Sequence, residues 1–286
     1  MKISNSQPIA ILMATYNGEM FLREQIESII RQTYTNWILY IQDDGSCDST
    51  LDIIKEYEAK DNRIKHFDIG LSHQGAGMNF LSMLNVIESK YYMFCDQDDV
   101  WFSDKIEKTL SRMSAVESEN PDKPIIVHTS RTFTDSCLNV KLQSEFNPRG
   151  KSDENVARKI ELLKNPNILR IYTIVGGCTM MLNRAVKEIV FPYINVRVHD
   201  SVCAMAVANS GGGIISTIIE PTMYYRLHSN QTCGVQSSSL FSKLMTPFKT
   251  LSANLRGYYI WKIYGGGCFF KFLYWRVKYF FILRCY

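Results

Sequence analysis

The sequence YYMFCDQDDVW, at residues 91–101, places a run of apolar residues directly before three carboxylates. Residues 91–95 do not alternate with polar ones, which predicts a strand buried on both faces of a sheet. Asp96, Asp98 and Asp99 repel one another unless a cation lies between them. Because Mg²⁺ and Mn²⁺ prefer oxygen ligands, the stretch predicts a divalent-metal site. The alternative is a polar loop whose carboxylates cap the next helix.

The first hundred residues alternate between short apolar runs and segments with apolar residues at helical spacing. The predicted strands are residues 9–14, 37–42, 64–69 and 91–95, with helices between them. This regular alternation predicts an α/β fold with a mostly parallel central sheet and helices on both faces. Ligands bind beyond the carboxyl ends of such strands, so one rim is expected to collect Tyr16, Asp44, the 70–77 loop and residues 96–99.

After residue 101 the pattern is less regular, and a glycine pair is its clearest feature. Helices are predicted over 104–116 and 156–163, a polar loop over 134–153, and apolar runs from 125 and over 211–219 and 223–228. Two further apolar runs in 171–182 meet at Gly176 and Gly177. Glycines there permit close approach of a ligand to the backbone, or form a simple bend.

The charges are distributed unevenly along the chain. The 286 residues carry a formal net charge of +4, yet residues 241–286 contain eight Lys or Arg and no Asp or Glu. Residues 1–240 are therefore mildly acidic, which speaks against a nucleic-acid partner and predicts one catalytic domain up to residue 240. The basic and aromatic tail, 241–286, is typical of segments that associate with an anionic membrane surface. Packing of the tail on the body or on a second subunit, as in a homodimer, is the alternative.

Cysteine spacing and hydropathy indicate the compartment. The eight cysteines form no C-x-x-C pair and have no regular spacing, so we expect reduced thiols rather than zinc sites or a disulfide framework. The N-terminal apolar run is shorter than that of a signal peptide, and no apolar segment reaches the length of a membrane span. The sequence therefore predicts a cytoplasmic protein, at most peripheral on a membrane face.

Two common nucleotide-binding classes do not fit the sequence. Gly75 and Gly77 open a helix after a strand, but the dinucleotide-binding fingerprint requires a third glycine where this chain has Phe80. No G-x-x-x-x-G-K-[ST] phosphate loop occurs in the sequence. Nicotinamide-dependent, flavin-dependent and P-loop enzymes are therefore not predicted.

Four short motifs occur in an order and spacing that resemble a known enzyme family. They are Ala14-Thr15-Tyr16-Asn17, Asp43-Asp44-Gly45-Ser46-x-Asp48-x-Thr50, Asp96-Gln97-Asp98-Asp99-x-Trp101 and Tyr225-Arg226-x-His228. Together they are similar to those of the family 2 inverting glycosyltransferases, above all bacterial rhamnosyltransferase-like enzymes that build O-antigen or capsule. The resemblance covers about residues 8–232. It implies the GT-A fold, a nucleotide-sugar donor and Mn²⁺ or Mg²⁺.

The first two motifs imply how the donor is bound. Thr15, Tyr16 and Asn17 are implied as donor-binding residues, with the Tyr16 ring stacked on the base. Asp44 is implied as the acceptor of a hydrogen bond from N3–H of a pyrimidine. An aromatic face and a carboxylate are suited to these two tasks.

The two later motifs imply the metal and diphosphate contacts. Asp98 is implied as the principal metal ligand, with Asp96 on the ribose or sugar side of the donor. Arg226 and His228 are implied beside the diphosphate, and His228 is an alternative metal ligand. A metal held there would neutralise the leaving diphosphate.

Asp200 is the implied catalytic base. Inversion needs one carboxylate that takes the proton of the acceptor hydroxyl as its oxygen attacks the anomeric carbon, and no covalent nucleophile. The alternative is that Asp200 only caps its helix. The acceptor side is assigned to Gly176, Gly177, Trp101 and His199. His199 precedes Asp200 where many relatives have Glu, so the acceptor pocket is expected to differ from theirs.

The expected function is transfer of one sugar to a lipid-linked glycan at the cytoplasmic face of the inner membrane, in O-antigen or capsule synthesis. dTDP-rhamnose, UDP-glucose and UDP-galactose all satisfy the implied donor contacts. The chain lacks the Q-x-x-R-W motif and the membrane spans of processive synthases, which favours a single addition. A sugar nucleotidyltransferase and an inactive membrane-attached scaffold are the alternatives.

Overall fold

The computed structural model describes residues 7–70, 72–147, 152–169, 175–191, 198–228, 258, 262 and 268–285. The strands in chain order are β1 (Ile9–Thr15), β2 (Trp37–Asp43), β3 (Ile64–His66), β4 (Tyr91–Asp96), β5 (Val100–Trp101), β6 (Ile125–Thr134), β7 (Val140–Leu142), β8 (Met180–Asn183) and β9 (Ile214–Arg226). The helices are α1 (Leu22–Ile30), α2 (Thr50–Lys60), α3 (Ala76–Val86), α4 (Lys105–Glu119), α5 (Asp153–Leu163), α6 (Pro166–Leu169), α7 (Arg184–Val190), α8 (His199–Asn209) and α9 (Phe269–Cys285). A 3₁₀ turn, Gly177–Thr179, leads into β8.

The strands form one nine-stranded sheet, ordered β3-β2-β1-β4-β8-β6-β9-β5 with β7 paired to β6. From β3 to β4 all neighbours are parallel, as the strand–helix alternation predicts. Beyond β4 the sheet is mixed, because β8 runs antiparallel to both β4 and β6 while β6 and β9 are parallel. The start of β8 and the ends of β6 and β9 therefore lie at the same rim as the end of β4.

Both faces of the central strands are buried, which explains why their sequences do not alternate between polar and apolar residues. All seven residues of β1 are buried. Ile11 and Met13 pack with α1 and α2 on one face, whereas Leu12 packs with α3 and α8 on the other. Side chains of successive strand residues point to opposite faces, so a strand between two helical layers is apolar throughout.

The remaining differences from the predicted elements have local causes. β3 is shorter than predicted, and the predicted polar loop at 134–153 contains the short strand β7. The apolar runs at 211–219 and 223–228 form the single strand β9, whose pairing with β6 shifts register where Pro221 lies opposite Ser130. Proline lacks an N–H group for the ladder, which accounts for the irregularity. Residues 171–174 of the predicted 171–182 segment lie outside the described residues.

The described part of the basic tail consists of the helix α9 together with Tyr258, Lys262 and Cys268. Helix α9 contacts α5 and α6, and Phe272 is fully buried there. Among the helices that the structure describes, none combines the length and the apolar character required to cross a bilayer. The division into a domain at 1–240 and a separate tail stays a prediction, since much of 229–267 lies outside the described residues.

One buried side chain is expected to make the stability pH-dependent. His128 of β6 is fully buried, and its Nε2 lies 2.8 Å from Thr217 Oγ1. Burial, with the nearby charges of Lys164 and Arg131, lowers the pKa of His128 to about 3. In the unfolded chain its pKa is about 6.5, so between these values only the unfolded state binds the proton. The stabilisation is present above pH 6.5 and is lost as the pH falls.

We expect His128→Gln to remove this slope. Between pH 7 and pH 5, the unfolding free energy of the wild type should fall by about 2 kcal/mol on account of His128. The reason is that His128 binds a proton in the unfolded chain but stays neutral in the folded protein. Urea unfolding of wild type and variant at both pH values measures the difference. An equal loss in the two proteins would show that other groups set the acid sensitivity.

Candidate active site

The loops after β1 and β2 are joined by reciprocal hydrogen bonds. Thr15 Oγ1 donates to Asp43 Oδ1 at 2.9 Å, and the Asp44 amide donates to the Thr15 carbonyl at 2.8 Å. The Asn17 amide donates to Ser46 Oγ at 2.8 Å, and Asn17 Oδ1 accepts the Cys47 amide at 2.9 Å. Asn17 has a φ of 46°, a conformation that asparagine tolerates better than most residues. Of the predicted donor-binding residues, Thr15 is buried and Asn17 is exposed.

Tyr16 presents its ring to solvent while its backbone is held firmly. Its amide donates to Gln97 Oε1, and Gln97 Nε2 donates to the Tyr16 carbonyl, both at 2.9 Å. The side chain is 50% exposed and meets the His73 ring edge-to-face at 6.2 Å between centroids. The arrangement leaves an aromatic face on which a base can stack. His73 carries no signal in the sequence that separates it from other loop residues, whereas Gln97 lies within the Asp96–Trp101 motif but was not assigned a role.

Asp44 is buried and anchors the loop that enters α3. Its two carboxylate oxygens accept the amides of Gln74, at 3.0 Å, and Gly75, at 2.8 Å. A carboxylate has about four acceptor positions, so these bonds leave capacity for a further donor. The structure therefore brings Asp44 to the rim beside Tyr16, and its bond to a nucleobase stays a prediction.

The three carboxylates after β4 occupy different surroundings. Asp98 Oδ2 lies 2.8 Å from His228 Nε2. Burial and the charge of Asp98 raise the pKa of Asp96 to about 7. Asp99 is fully buried, and burial together with the charges of Asp98 and Asp96 raises its pKa well above its usual range. Its Oδ1 accepts the Arg226 amide at 3.2 Å, whereas its Oδ2 has no partner among the described residues.

These side chains fit a divalent cation. One oxygen each of Asp96 and Asp99 and the sulfur of Cys178 lie within 4.8 Å of one another. The unpartnered buried oxygen of Asp99 and the crowded negative charge are what an oxygen-binding cation would relieve. We predicted Asp98 and His228 as ligands from the sequence. The structure pairs these two with each other and places Asp96, Asp99 and Cys178 together beside them.

Two buried cations near the carboxylates were missed by sequence reasoning. Arg131 of β6 pairs with Glu145 at 2.9 Å, and its Nη1 lies 3.9 Å from Cys178 Sγ. Lys105 of α4 is fully buried, and its Nζ donates to Thr222 Oγ1 at 3.2 Å. Burial lowers the pKa of Lys105 to about 8, against the opposing influence of nearby anionic groups. Both cations offset part of the negative charge at the rim.

Two residues of the recognised motifs lie elsewhere than expected. Trp101 is only 3% exposed and packs in the core under Lys105, 4.9 Å from its Nζ. Its place on the acceptor side stays a prediction. Arg226 is 2% exposed, donates from Nε to the Asp98 carbonyl at 2.8 Å, and pairs with Glu24. In this arrangement Arg226 positions the turn that carries Asp98, and its contact with a diphosphate stays a prediction.

The start of α8 places Asp200 at the same rim. Asp200 is partly exposed, and its Oδ1 accepts the amide and hydroxyl of Ser201. Its charge also raises the pKa of Asp96, because the two carboxylates are close enough to interact. The preceding His199 is buried, with its ring 4.3 Å from that of Phe80 and 4.7 Å from that of Phe94. The His199 side chain thus packs in the core, and its acceptor-side role stays a prediction.

The glycine pair is required for the 3₁₀ turn to pass close to two buried side chains. A Cβ on Gly177 would lie 2.1 Å from His199 Nε2, and one on Gly176 would lie 3.1 Å from Arg131 Nη1. Close packing against these two side chains, rather than a simple bend, accounts for the pair, and the acceptor-side role of Gly176 and Gly177 stays a prediction. The close packing also fixes the turn that carries Cys178 against the start of α8.

We expect Gly177→Ala to destabilise the protein by about 1–3 kcal/mol, the usual cost of forcing an extra carbon into a packed site. Because the added Cβ meets the His199 ring, Gly177→Ala in a His199→Ala background should cost less. Urea unfolding of the two single variants and the double variant measures this coupling. Strictly additive losses would mean that the two residues do not oppose each other.

Comparison with known proteins finds that the chain is similar to bacterial glycosyltransferases. dTDP-rhamnosyl transferase RfbG of Shigella flexneri is 37% identical over 102 residues, 34% of this chain and 35% of that protein. This chain thus matches only about a third of that relative's length. WfaP of Escherichia coli, a UDP-Glc:alpha-D-GlcNAc-diphosphoundecaprenol beta-1,3-glucosyltransferase, is 27% identical over 248 residues, 86% of each chain.

Solved structures share the fold, and a family model gives the family. TarS 1-349 of S. aureus in complex with UDP-GlcNAc superposes with a TM-score of 0.57 at 17% identity, covering 88% of this chain and 66% of that chain. The mannosyltransferase PcManGT of Pyrobaculum calidifontis, solved with GDP-Man and Mn2+, gives 0.56 at 13% identity over 79% of this chain and 59% of that chain. The model of glycosyl transferase family 2 matches residues 10–190. Since that match covers more than half of the chain, the protein belongs to glycosyl transferase family 2 and has the GT-A fold.

Proposed function

We propose that the protein transfers one sugar, with inversion, from a nucleotide-diphosphate donor to a lipid-linked glycan acceptor in bacterial O-antigen or capsule synthesis. The observation that carries this proposal is the position of Asp200. The preceding His199 packs against Gly177, next to the Cys178 whose sulfur lies within 4.8 Å of oxygens of Asp96 and Asp99, and the charge of Asp200 contributes to the raised pKa of Asp96. The proposed donor site and the candidate base would therefore share one edge of the sheet.

The donor half of the proposed site is built by the ends of β1, β2 and β4. The exposed ring of Tyr16 supports a stacked base, and Asp44 stands beside it with acceptor capacity left. Asp98 with His228, or Asp96 with Asp99, would hold Mn²⁺ or Mg²⁺. When bound, such a cation supplies charge neutralisation for the leaving diphosphate.

The acceptor half centres on Asp200. The Ser201 amide and hydroxyl both donate to Oδ1 of Asp200 and leave Oδ2 out of these two hydrogen bonds. We propose that this carboxylate takes the proton from the acceptor hydroxyl while the hydroxyl oxygen bonds to the anomeric carbon and the nucleoside diphosphate leaves. The reaction then needs no covalent intermediate on the protein.

The relatives limit the donors that we propose to test. RfbG is named as a dTDP-rhamnosyl transferase and WfaP as a UDP-Glc transferase. We therefore propose dTDP-rhamnose, UDP-glucose or UDP-galactose as donor. WfaP is named for a diphosphoundecaprenol-linked sugar, which supports a lipid-linked acceptor and a place at the cytoplasmic face of the inner membrane.

A screen of these donors with Mn²⁺ tests the proposal. The true donor should raise the melting temperature, because a ligand that binds only the folded state stabilises it. With a lipid-linked acceptor, release of nucleoside diphosphate supports transfer, and release of inorganic diphosphate would indicate a sugar nucleotidyltransferase. No stabilisation by any nucleotide sugar, in the presence of metal, would favour the inactive scaffold.

A further inference from the structure

The helix α9 carries an exposed apolar stripe that the catalytic fold does not use. The stripe consists of Phe270, Leu273, Tyr274 and Val277, whose spacing of i, i+3, i+4 and i+7 puts them on one face of the helix. Phe270 is 81% exposed and Val277 is 55% exposed. Large apolar side chains grouped in this way on a surface indicate a contact beyond the residues that the structure describes.

The opposite face of α9 is fixed to the catalytic body. Phe272 is fully buried, and Trp275 packs against the core cluster that also includes residues of α5, α6 and α8. The helix therefore has a packing face and a separate outward face. Whatever binds the stripe would be held in a fixed orientation relative to the body.

The charges around the stripe point to an anionic partner. Lys271 and Lys278 are exposed and lie seven residues apart, so they share one edge of the stripe. Residues 221–286 contain no Asp or Glu. A second copy of the same helix would bring like charges together, whereas anionic lipid headgroups would offset them.

We propose that α9 lies in the plane of an anionic bilayer surface, with the stripe at the depth of the acyl boundary and the lysines at the headgroups. Aromatic and aliphatic side chains bordered by lysines are the usual composition of such interfacial helices. The proposal deepens the membrane location given under the proposed function by naming the surface that would make the contact, and it uses none of the residues at the carboxylate rim. It would place the acceptor's own lipid phase beside the enzyme.

Co-sedimentation with vesicles tests the proposal on the full chain, without donor or metal. Wild type should bind vesicles of phosphatidylcholine with roughly a third phosphatidylglycerol, and bind pure phosphatidylcholine more weakly. Phe270→Ser with Val277→Ser should weaken binding at least about tenfold. Lys271→Glu should weaken binding to the anionic vesicles about fivefold or more.

Matched controls separate the stripe from general surface effects. Val86→Ser removes a 52% exposed apolar side chain from the end of α3, and Lys55→Glu reverses an exposed charge on α2. Both should bind vesicles like the wild type. Asp98→Ala should also bind normally, so an inactive enzyme would not count against the proposal.

Three results would overturn the proposal. They are absence of wild-type binding to anionic vesicles, undiminished binding by the stripe variants, and loss of self-association in those variants without loss of vesicle binding. The last result, measured by sedimentation velocity, would assign the stripe to a second copy. Since the substituted side chains are exposed, the circular dichroism spectra and melting temperatures of the variants should match those of the wild type.

Discussion

Replacing Asp98 by alanine should abolish both sugar transfer and metal-dependent donor binding. Asp98 lies two residues after the end of β4, its side chain is mostly buried, and its Oδ2 lies 2.8 Å from His228 Nε2. If the cation neutralises the leaving diphosphate, loss of a principal ligand removes several kcal/mol of charge stabilisation, or roughly 1000-fold in rate. We expect Asp98→Ala to show no melting-temperature increase with nucleotide sugar and Mn²⁺ under conditions that stabilise the wild type.

Two further variants show whether the loss belongs to this carboxylate. Asp52→Asn removes an exposed charge at the start of α2, and should transfer sugar at the wild-type rate. Cys178→Ser keeps the carboxylates but changes the sulfur that lies beside Asp96 and Asp99. It should retain metal-dependent donor binding, because Mn²⁺ and Mg²⁺ prefer oxygen to sulfur. Full wild-type activity in excess chelator would exclude the metal role that we assign.

The sequence was sufficient for the first half of the sheet. β1, β2 and β4 are continuous apolar runs separated by helices, and a chain of that pattern has few alternatives to a parallel, doubly covered sheet. Parallel strands end at one edge of the sheet, which is why the sequence alone predicts that Tyr16, Asp44 and Asp98 lie together. In this part of the chain, the local sequence pattern is therefore enough to predict which loops lie close together.

The second half of the site depends on pairings that no local pattern reveals. Arg131, Lys105 and Cys178 reach the carboxylates because β6, β8 and β9 meet in a mixed order beside β4. A single lysine in the first turn of an amphipathic helix reads as a solvated residue, yet Lys105 is fully buried. Sequence motifs also do not tell which way a side chain points. Trp101 and Arg226 lie in recognised motifs, and both turn into the core.

Replacing Asp200 by asparagine should separate chemistry from donor binding. The amide keeps the shape of the carboxylate but cannot accept the hydroxyl proton, so we expect kcat to fall by about 100-fold or more. Binding of the nucleotide sugar should be unchanged, because the Tyr16 and Asp44 contacts and the carboxylates after β4 stay in place. Stopped assays of transfer to a lipid-linked acceptor and thermal shifts with the donor measure the two quantities.

The same variant distinguishes a base from a helix cap. A carboxylate that merely stabilises the start of α8 would cost about 1 kcal/mol of stability on removal, with a modest loss of activity. As a control, Ser201→Ala removes the hydroxyl that contacts Asp200 Oδ1 at 3.2 Å while leaving the carboxylate in place. It should retain most of the activity. If Asp200→Asn weakens donor affinity and leaves kcat intact, Asp200 is a binding residue and another group takes the proton.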